Sequence, residues 1–202
     1  MKKSIFLILF LISIALSLVN YNNSISQDNN EYVKQNEKKP HWVDFYQEKI
    51  LITCSDNEVE VEGIYYLRNV TDGNLSMTIL YPFPVDKYHP FPHKIEVEEF
   101  TFWQDSSNIY FNMSMDPHEK KSIKFHYRQK HYKKSAKYIL SSTQQWQHAI
   151  QQAEFIISVP KSWNEVNISL QPDKVEIKKD IKIYYITKCN FFPNEDLVIT
   201  WE

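Results

Sequence analysis

The chain has 202 residues, 43% of them hydrophobic and 15% aromatic, with a formal net charge of -2 and two glycines. Average usage would give about fourteen glycines, and phosphate-binding loops and dinucleotide fingerprints need several within a few residues, so both are excluded. The aromatic content argues against disorder, and the length allows one or two domains with a hydrophobic core.

The N-terminus carries two lysines followed by an apolar run over residues 5–19 that only two serines interrupt. This run is shorter than the ~20 residues that span a bilayer, and it fits the core of a secretory signal peptide. Ser24 and Ser26 supply small residues for a cleavage site, so residues 1–26 are predicted to be a signal peptide. An uncleaved anchor is the alternative. The protein is therefore expected to be exported, to a periplasmic, cell-surface or secreted location.

Residues 27–40 are polar, lack apolar periodicity and end at a proline, which predicts a flexible leader before a folded body over residues 41–202. Removal of residues 1–26 takes away two lysines and no acidic residue, which makes the remaining chain more acidic. An acidic exported protein has no general attraction to nucleic acid. Contact with a membrane is expected only through the N-terminal segment, if it stays uncleaved.

The body is predicted to be all-β because its apolar residues recur with a period of two. Predicted strands cover residues 49–54, 58–62, 64–69, 75–81, 94–102, 109–115, 123–127, 137–142, 155–159, 166–170, 181–185 and 197–201. Short strands separated by turn residues favour an antiparallel, immunoglobulin-like β-sandwich. It would be either elaborated or divided near residues 132–142 into two small β subdomains. One short helix is predicted over residues 144–153, capped by Thr143.

Cys54 lies on a predicted strand near the start of the body, and Cys189 follows the predicted strand 181–185 near its end. Each cysteine is an even number of residues away from apolar residues that alternate with polar ones, so both side chains are predicted to point inward. An even number of cysteines after a signal peptide predicts a disulfide. Two separate buried thiols are the alternative, because cysteine is often buried.

Two P-F-P strings stand between residues 82 and 92. Proline fixes φ and lacks an N–H, which predicts a stiff segment outside the sheet interior. This segment is either a rigid connection that packs its phenylalanines on the sandwich or a loop that binds a partner. The candidate binding residues are Phe83, Asp86, His89, Phe91 and His93. They do not form a zinc ligand set with typical spacing, so no metal site is predicted.

Residues 118–137 are basic, and the strand within them would present its charges on one face. The residues of this predicted basic face are Lys120, Lys124, His126, Arg128 and Lys130. Such a face could dock an anionic glycan, an envelope lipid or an acidic partner. The alternative is a solvated edge strand whose lysines prevent edge-to-edge aggregation.

No nucleophile or metalloprotease motif occurs, since the sequence contains neither G-x-S-x-G nor H-E-x-x-H. We therefore predict no catalytic residues and no cofactor. Glycosidases carry no compact motif, so an envelope hydrolase or carbohydrate-active enzyme is kept as the alternative function.

Several strings mark strand ends and turns. They are Y-Y-L-R-N at Tyr65–Asn69, L-Y-P-F-P-V at Leu80–Val85, V-P at residues 159–160 and F-P-N-E-D-L-V-I-T-W at Phe192–Trp201. With them, roughly residues 57–202 resemble a group of uncharacterised exported bacterial proteins classed as domains of unknown function. The resemblance implies export and a β-rich fold. No activity or catalytic residue is established in that group, so none carries over.

These observations favour a non-enzymatic, exported β-sandwich that acts as a binding or interaction module of a bacterial cell envelope. Its expected partner is an envelope protein or a glycan. A purely structural, anchored protein is a third possibility if the apolar N-terminus is retained.

Overall fold

The computed structural model describes residues 42–202, so the predicted signal peptide (1–26) and leader (27–40) lie outside the described residues. Within residues 42–202 there are thirteen strands and one short helix. The strands are β1 (Val43–Cys54), β2 (Glu58–Asn69), β3 (Leu75–Pro82), β4 (His93–Val97), β5 (Trp103–Gln104), β6 (Asn108–Met115), β7 (Lys120–Lys130), β8 (Ser135–Tyr138), β9 (Ile150–Pro160), β10 (Val166–Ile168), β11 (Lys174–Lys178), β12 (Ile181–Phe191) and β13 (Leu197–Trp201).

Seven strands form the main sheet in the order β11-β12-β9-β1-β2-β7-β4. Its centre is β1, which pairs antiparallel with β2 and parallel with β9. Every other pair in this sheet is antiparallel. The parallel pair is not predicted from the sequence, because it joins segments about one hundred residues apart.

The predicted alternation decides which side chains of the main sheet face inward. On β1, Ile50, Ile52 and Cys54 are almost fully buried, and Val59 and Val61 of β2 lie opposite them on the same face. Burying one face of each strand is the largest favourable contribution to folding here, at ~25 cal/mol per Å² of apolar surface. The inward positions of β1 and β2 are therefore confirmed.

Two three-stranded sheets, β3-β6-β5 and β10-β13-β8, complete the fold. Tyr81 of β3 stacks on Phe125 of β7 with 4.2 Å between ring centroids, which joins the first small sheet to the main sheet. Trp201 of β13 stacks on Trp163, which follows β9, also with 4.2 Å between ring centroids. One continuous hydrophobic core lies between the sheets.

The helix is a 3₁₀ helix over Ser141–Trp146, which we call η1. It ends at Gln147, whose left-handed φ of 57° lets its N–H donate to the Gln144 carbonyl oxygen at 3.0 Å. The prediction of a helix over residues 144–153 is wrong in its bounds, because Ile150 and Ala153 belong to β9. Pairing on both edges of β9 outweighs the local helical spacing. No helix among residues 42–202 has the length and apolar character needed to cross a bilayer.

The predicted all-β fold of mainly antiparallel sheets with one short helix is confirmed. The immunoglobulin-like topology stays a prediction. The described residues all fall within one compact unit, and the main sheet combines strands from both sides of residues 132–142.

The predicted disulfide between Cys54 and Cys189 is wrong, because both cysteines are free thiols. Cys189 lies opposite Gln152, which lies opposite Gln47. Gln47 is seven residues from Cys54 along β1, or about 23 Å at 3.3 Å per residue, and a disulfide needs Cα atoms within about 7 Å. Cys189 is also exposed, so only Cys54 faces inward as predicted.

Candidate functional site

The segment between β3 and β4, predicted as a binding loop, packs its two phenylalanines on the core. Phe83 is 4% exposed, and its ring centroid lies 5.3 Å from that of Phe91 and 5.0 Å from that of Tyr127. Phe83 is therefore not available as an exposed contact surface, and the partly buried Phe91 packs against the core. The segment has the properties of the rigid connection that the prolines indicate.

The polar candidates of the same segment are divided between the interior and the surface. His89 is buried, with Nδ1 at 2.9 Å from Asp86 Oδ1 and Nε2 at 3.1 Å from the carbonyl oxygen of Ser135. His93 is partly exposed, and its Nε2 lies 3.4 Å from Glu58 Oε2. The structure therefore does not bring the two imidazoles and the carboxylate together as one site.

The predicted basic face of β7 lies directly beside an acidic face of β2. The register places Glu58 opposite Lys130, Glu60 opposite Arg128 and Glu62 opposite His126. Arg128 Nη2 and His126 Nε2 lie 3.0 Å and 2.7 Å from Glu60 Oε1. We call this set of alternating charges the outer charge ladder.

The other basic residues of β7 also have neighbours. Lys124 Nζ lies 2.8 Å from Glu98 Oε2, and Lys120 Nζ lies 5.9 Å from the ring centroid of Tyr46. Moreover, β7 is not an edge strand, because β4 pairs with it. The predicted basic stripe is thus a mixed-charge face that lacks the excess positive charge an anionic partner would require.

A different site lies inside the fold, where one tyrosine from each sheet meets the other two. The hydroxyl of Tyr65, on β2, lies 2.9 Å from the hydroxyl of Tyr81, on β3, and 2.6 Å from that of Tyr138, on β8. Burial raises the pKa of each hydroxyl above its usual value, so all three stay protonated.

These three tyrosines line a cavity of about 80 Å³, which we call the three-sheet cavity. Most of its wall is apolar or aromatic, and Glu48 also lines it. A cavity of this volume is large enough for several water molecules or one small ligand.

Glu48 is the one acidic residue among those that line this cavity, and it is 1% exposed. Burial raises the pKa of its carboxyl group to about 8, so the group is mostly neutral at pH 7. Within residues 42–202, no group hydrogen-bonds its Oε1 atom. An unpartnered buried polar group costs about 1–3 kcal/mol, which makes this atom the most unusual feature of the interior.

The backbone of the main sheet fixes the positions of Glu48 and Tyr65. The two residues face each other across the β1–β2 pair, and Ala153 of β9 lies on the other side of Glu48. The ring of Tyr65 folds back over Gly63, where an added Cβ would come 2.7 Å from two ring carbons. Glycine at this position therefore makes room for the tyrosine that meets the other two sheets.

The helix η1 covers one side of the cavity with Ser142, Thr143 and Trp146. Asp196, just before β13, holds this helix in place. Its Oδ1 accepts hydrogen bonds from the N–H groups of Leu140 and Ser141, at 3.1 Å and 3.0 Å. Although partial burial works in the opposite direction, hydrogen bonds to the Ser141 hydroxyl and to a neighbouring lysine lower the pKa of Asp196. The carboxylate of Asp196 thus keeps the wall of the cavity in place.

Metal ligation is not suggested by the geometry of the described part of the chain. Among residues 42–202, no three His, Cys, Asp or Glu side chains are close enough to hold a metal ion together.

Residues 115–200 match the model of a protein family described as a domain of unknown function (DUF4424). This confirms the resemblance to an uncharacterised β-rich family. Among curated proteins, none matches this sequence.

Two solved structures show the same type of fold. A protein from Legionella pneumophila, provisionally assigned as nutrient binding, aligns over 81% of this chain and 67% of its own, with a TM-score of 0.59 and 13% identity. The M1 zinc metallopeptidase of Deinococcus radiodurans aligns over 80% of this chain and 43% of its own, with a TM-score of 0.51 and 9% identity. This chain thus spans about two thirds of the first and less than half of the second, and the likeness concerns the fold alone.

Glu48 and the three tyrosines are absent from the residues predicted as a site. A bulge in β1 conceals Glu48, because Tyr46 and Gln47 together stand opposite Tyr66 and the alternation is interrupted there. Counting back from Ile50 nevertheless places Glu48 on the inward face. A charged residue on the apolar parity of a strand is therefore the feature that would have identified it.

The cavity combines one carboxyl-bearing residue with aromatic walls. Its carboxyl group can donate a hydrogen bond while neutral and accept hydrogen bonds when ionised, and the tyrosine hydroxyls can do both. The arrangement is suited to holding a small molecule that carries a polar group.

Proposed function

We propose that this protein is an exported, non-enzymatic binding module of a bacterial cell envelope that holds a small ligand in the three-sheet cavity. The observation that carries the proposal is that Glu48, which lines the cavity, has a carboxyl oxygen without a hydrogen-bond partner among residues 42–202. Small-molecule sites are typically apolar cavities with a few well-placed polar groups. A ligand that hydrogen-bonds Glu48 would remove the cost of leaving it unsatisfied.

The cavity replaces the two surfaces that the sequence favours. Phe83 packs on the core, and the basic residues of β7 lie beside carboxylates. The first surface therefore does not present Phe83, and the second presents mixed charge in place of a continuous positive face. Binding is therefore assigned to the interior of the sandwich.

A binding role is favoured over hydrolysis because Glu48 is the one acidic residue among those that line the cavity. Glycoside hydrolysis uses two carboxyl groups about 5–10 Å apart. The nutrient-binding assignment of the Legionella protein agrees with a binding role, although its 13% identity limits the comparison to the fold.

The exported location rests on the N-terminal sequence. Intact-mass measurement of protein recovered from cells that express the full chain tests it. We expect the mass of a chain that begins at Gln27. Recovery of the uncleaved chain from the membrane fraction would instead support an anchored protein.

Ligand binding is tested on the purified protein by two-dimensional NMR with separate mixtures of small amines, alcohols and carboxylates. We expect one mixture to shift the amide resonances of Glu48, Tyr65 and Tyr138. Glu62→Gln, which changes an exposed carboxylate on the outer face of β2, is the control. The same mixture should shift the cavity resonances of this variant by the same amount as in the unmodified protein. If no mixture perturbs these resonances, the proposed function is wrong.

A further inference from the structure

The wall of the three-sheet cavity is strongly aromatic around its single carboxyl group. Phe45, Tyr65, Tyr81, Phe125 and Trp146 all line it. The ring of Phe45 lies 5.7 Å from that of Trp146 and 6.0 Å from that of Tyr65, measured between centroids. Rings grouped in this way attract cations through their negative faces.

No lysine, arginine or histidine is among the lining residues. Glu48 consequently has no cationic partner in the cavity, although buried carboxylates are normally paired. A ligand that supplies the missing positive charge would complete both the ion pair and the aromatic contacts. An anionic ligand would find no cationic side chain there, and its charge would be repelled by an ionised Glu48.

We propose that the ligand of the three-sheet cavity is a small organic ammonium ion, whose N–H group donates a hydrogen bond to Glu48 Oε1 while its alkyl part contacts the aromatic walls. This inference rests on the proposed function and names the ligand class. A dry cavity of 150 Å³ accommodates benzene, with its six heavy atoms. The cavity of about 80 Å³ is therefore expected to hold ions of about three or four heavy atoms, such as ethylammonium.

Binding of an ammonium ion would be coupled to loss of the Glu48 proton. Burial keeps the carboxyl group mostly protonated at pH 7, and the ion pair forms only with the carboxylate. The other titratable groups that line the cavity are Tyr65 from β2, Tyr81 from β3 and Tyr138 from β8. Their raised pKa values keep them neutral, so Glu48 alone sets the pH dependence.

The test is titration of the purified protein with ethylammonium chloride, followed by NMR and calorimetry, with ethanol, sodium acetate and sodium chloride as separate probes. We expect ethylammonium to bind about tenfold more tightly at pH 7 than at pH 6, because the ionised fraction of Glu48 rises about tenfold per pH unit below its pKa. Calorimetry in buffers of different ionisation enthalpy should show release of nearly one proton per ligand at pH 7.

Glu48→Gln should weaken ethylammonium binding at least tenfold and abolish its pH dependence, whereas Glu62→Gln should change neither. If Glu48→Gln does not fold, the pH profile and proton release of the unmodified protein decide the matter. Binding of ethanol or acetate in place of ethylammonium would overturn this inference and leave the proposed function standing. If ethylammonium, ethanol and acetate all leave the cavity resonances unchanged while only the alcohol or the carboxylate mixture shifts them, the ligand class is likewise wrong. Failure of every probe and library would overturn both proposals.

Discussion

Two glutamates on neighbouring strands of the main sheet have opposite environments. Glu48, on the inner face of β1, has no hydrogen-bond partner for Oε1 within residues 42–202, and burial raises its pKa to about 8. Glu60, on the outer face of β2, accepts hydrogen bonds from Arg128 and lies 2.7 Å from His126 Nε2. Its hydrogen bond with His126, together with Arg128 and against partial burial, lowers its pKa.

The difference shows that the face of the strand, and not the residue type, decides what a carboxyl group contributes. On the outer face, Arg128 stands directly opposite Glu60 on the neighbouring strand and supplies a positive charge. On the inner face, no basic residue lines the cavity with Glu48, so ionisation of its buried carboxyl group is disfavoured unless something else supplies a positive charge. The experiments below test this contrast.

The largest effect is expected for Glu48→Gln as a function of pH, without ligand. Between pH 4.5, its ordinary pKa, and about 8, the unfolded chain ionises Glu48 while the folded chain keeps it protonated. The stability of the unmodified protein therefore falls as the pH rises through this window. Relative to it, Glu48→Gln should gain on the order of 4 kcal/mol in unfolding free energy from pH 4.5 to 8. Urea denaturation at several pH values measures this gain, and parallel pH profiles would contradict it.

Gly63→Ala should destabilise the protein by about 2–3 kcal/mol, as overpacking of a core does. The added methyl group would meet Tyr65, whose hydroxyl is held by two other tyrosines and cannot move away freely. Gly73→Ala is the control, since nothing lies within 4 Å of a Cβ added there. Equal unfolding free energies for the two variants would show that Tyr65 adapts to the methyl group.

Asp196→Ala should lower the unfolding free energy by about 1–2 kcal/mol, the usual cost of losing a helix cap. The N–H groups of Leu140 and Ser141 would lose their acceptor. Hydrogen exchange at these two amides should accelerate more than exchange in the main sheet. Glu195→Ala, at an exposed neighbouring position, serves as the control. Unchanged protection of both amides would remove Asp196 from the role of holding η1.

Glu60→Gln should cost about 1 kcal/mol at pH 7, because exposed and half-exposed ion pairs contribute little. The lowered pKa means that the carboxylate stabilises the fold above its ordinary pKa of 4.5 and loses this effect as the pH falls through the folded-state value. Its pH trend is thus opposite to that of Glu48. Urea denaturation of Glu60→Gln at pH 7 and pH 3 measures how the cost changes with pH, with Glu62→Gln as the control variant. A cost that persists at pH 3 would contradict the role of charge.

The smallest effect is expected from a reducing agent, which should leave the unfolding midpoint unchanged because both cysteines are free. Burial raises the pKa of the Cys54 thiol to about 12, which makes it inert at neutral pH. A thiol reagent should therefore add one label to the folded protein, at the exposed Cys189. Mass spectrometry detects the label, and Cys189→Ser should abolish it. A second label on folded protein would contradict the burial of Cys54.

The sequence is sufficient to predict the strands of this fold where the alternation is uninterrupted, as around Ile50 and Ile52. Such a pattern is local, and it reports directly which side chains face the core. The helix over residues 144–153 is wrong because Ile150 and Ala153 fit a helical face locally, whereas their strand pairs on both edges. The local pattern of apolar residues does not show which distant strands will pair with a segment.

The cavity is harder to predict than the strands because it depends on three sheets meeting. Tyr65, Tyr81 and Tyr138 come from separate parts of the chain, and nothing local indicates that their hydroxyls converge. The β1 bulge hides Glu48 further, since Phe45 and Glu48 both line the cavity although they are three positions apart. The disulfide prediction fails for a similar reason. The alternation of a strand shows which way a cysteine side chain points, but it does not give the distance between two cysteines on different strands.

The parallel pairing of β1 with β9 sets an order of assembly during synthesis. Strands β1, β2 and β7 can pair among themselves as soon as they emerge, but one edge of β1 stays vacant until residues 152–158 have been made. Distant pairing of this kind slows folding, and a vacant strand edge invites association with other chains. A growing polypeptide of this protein would therefore benefit from chaperone protection until residue 158 has been synthesised.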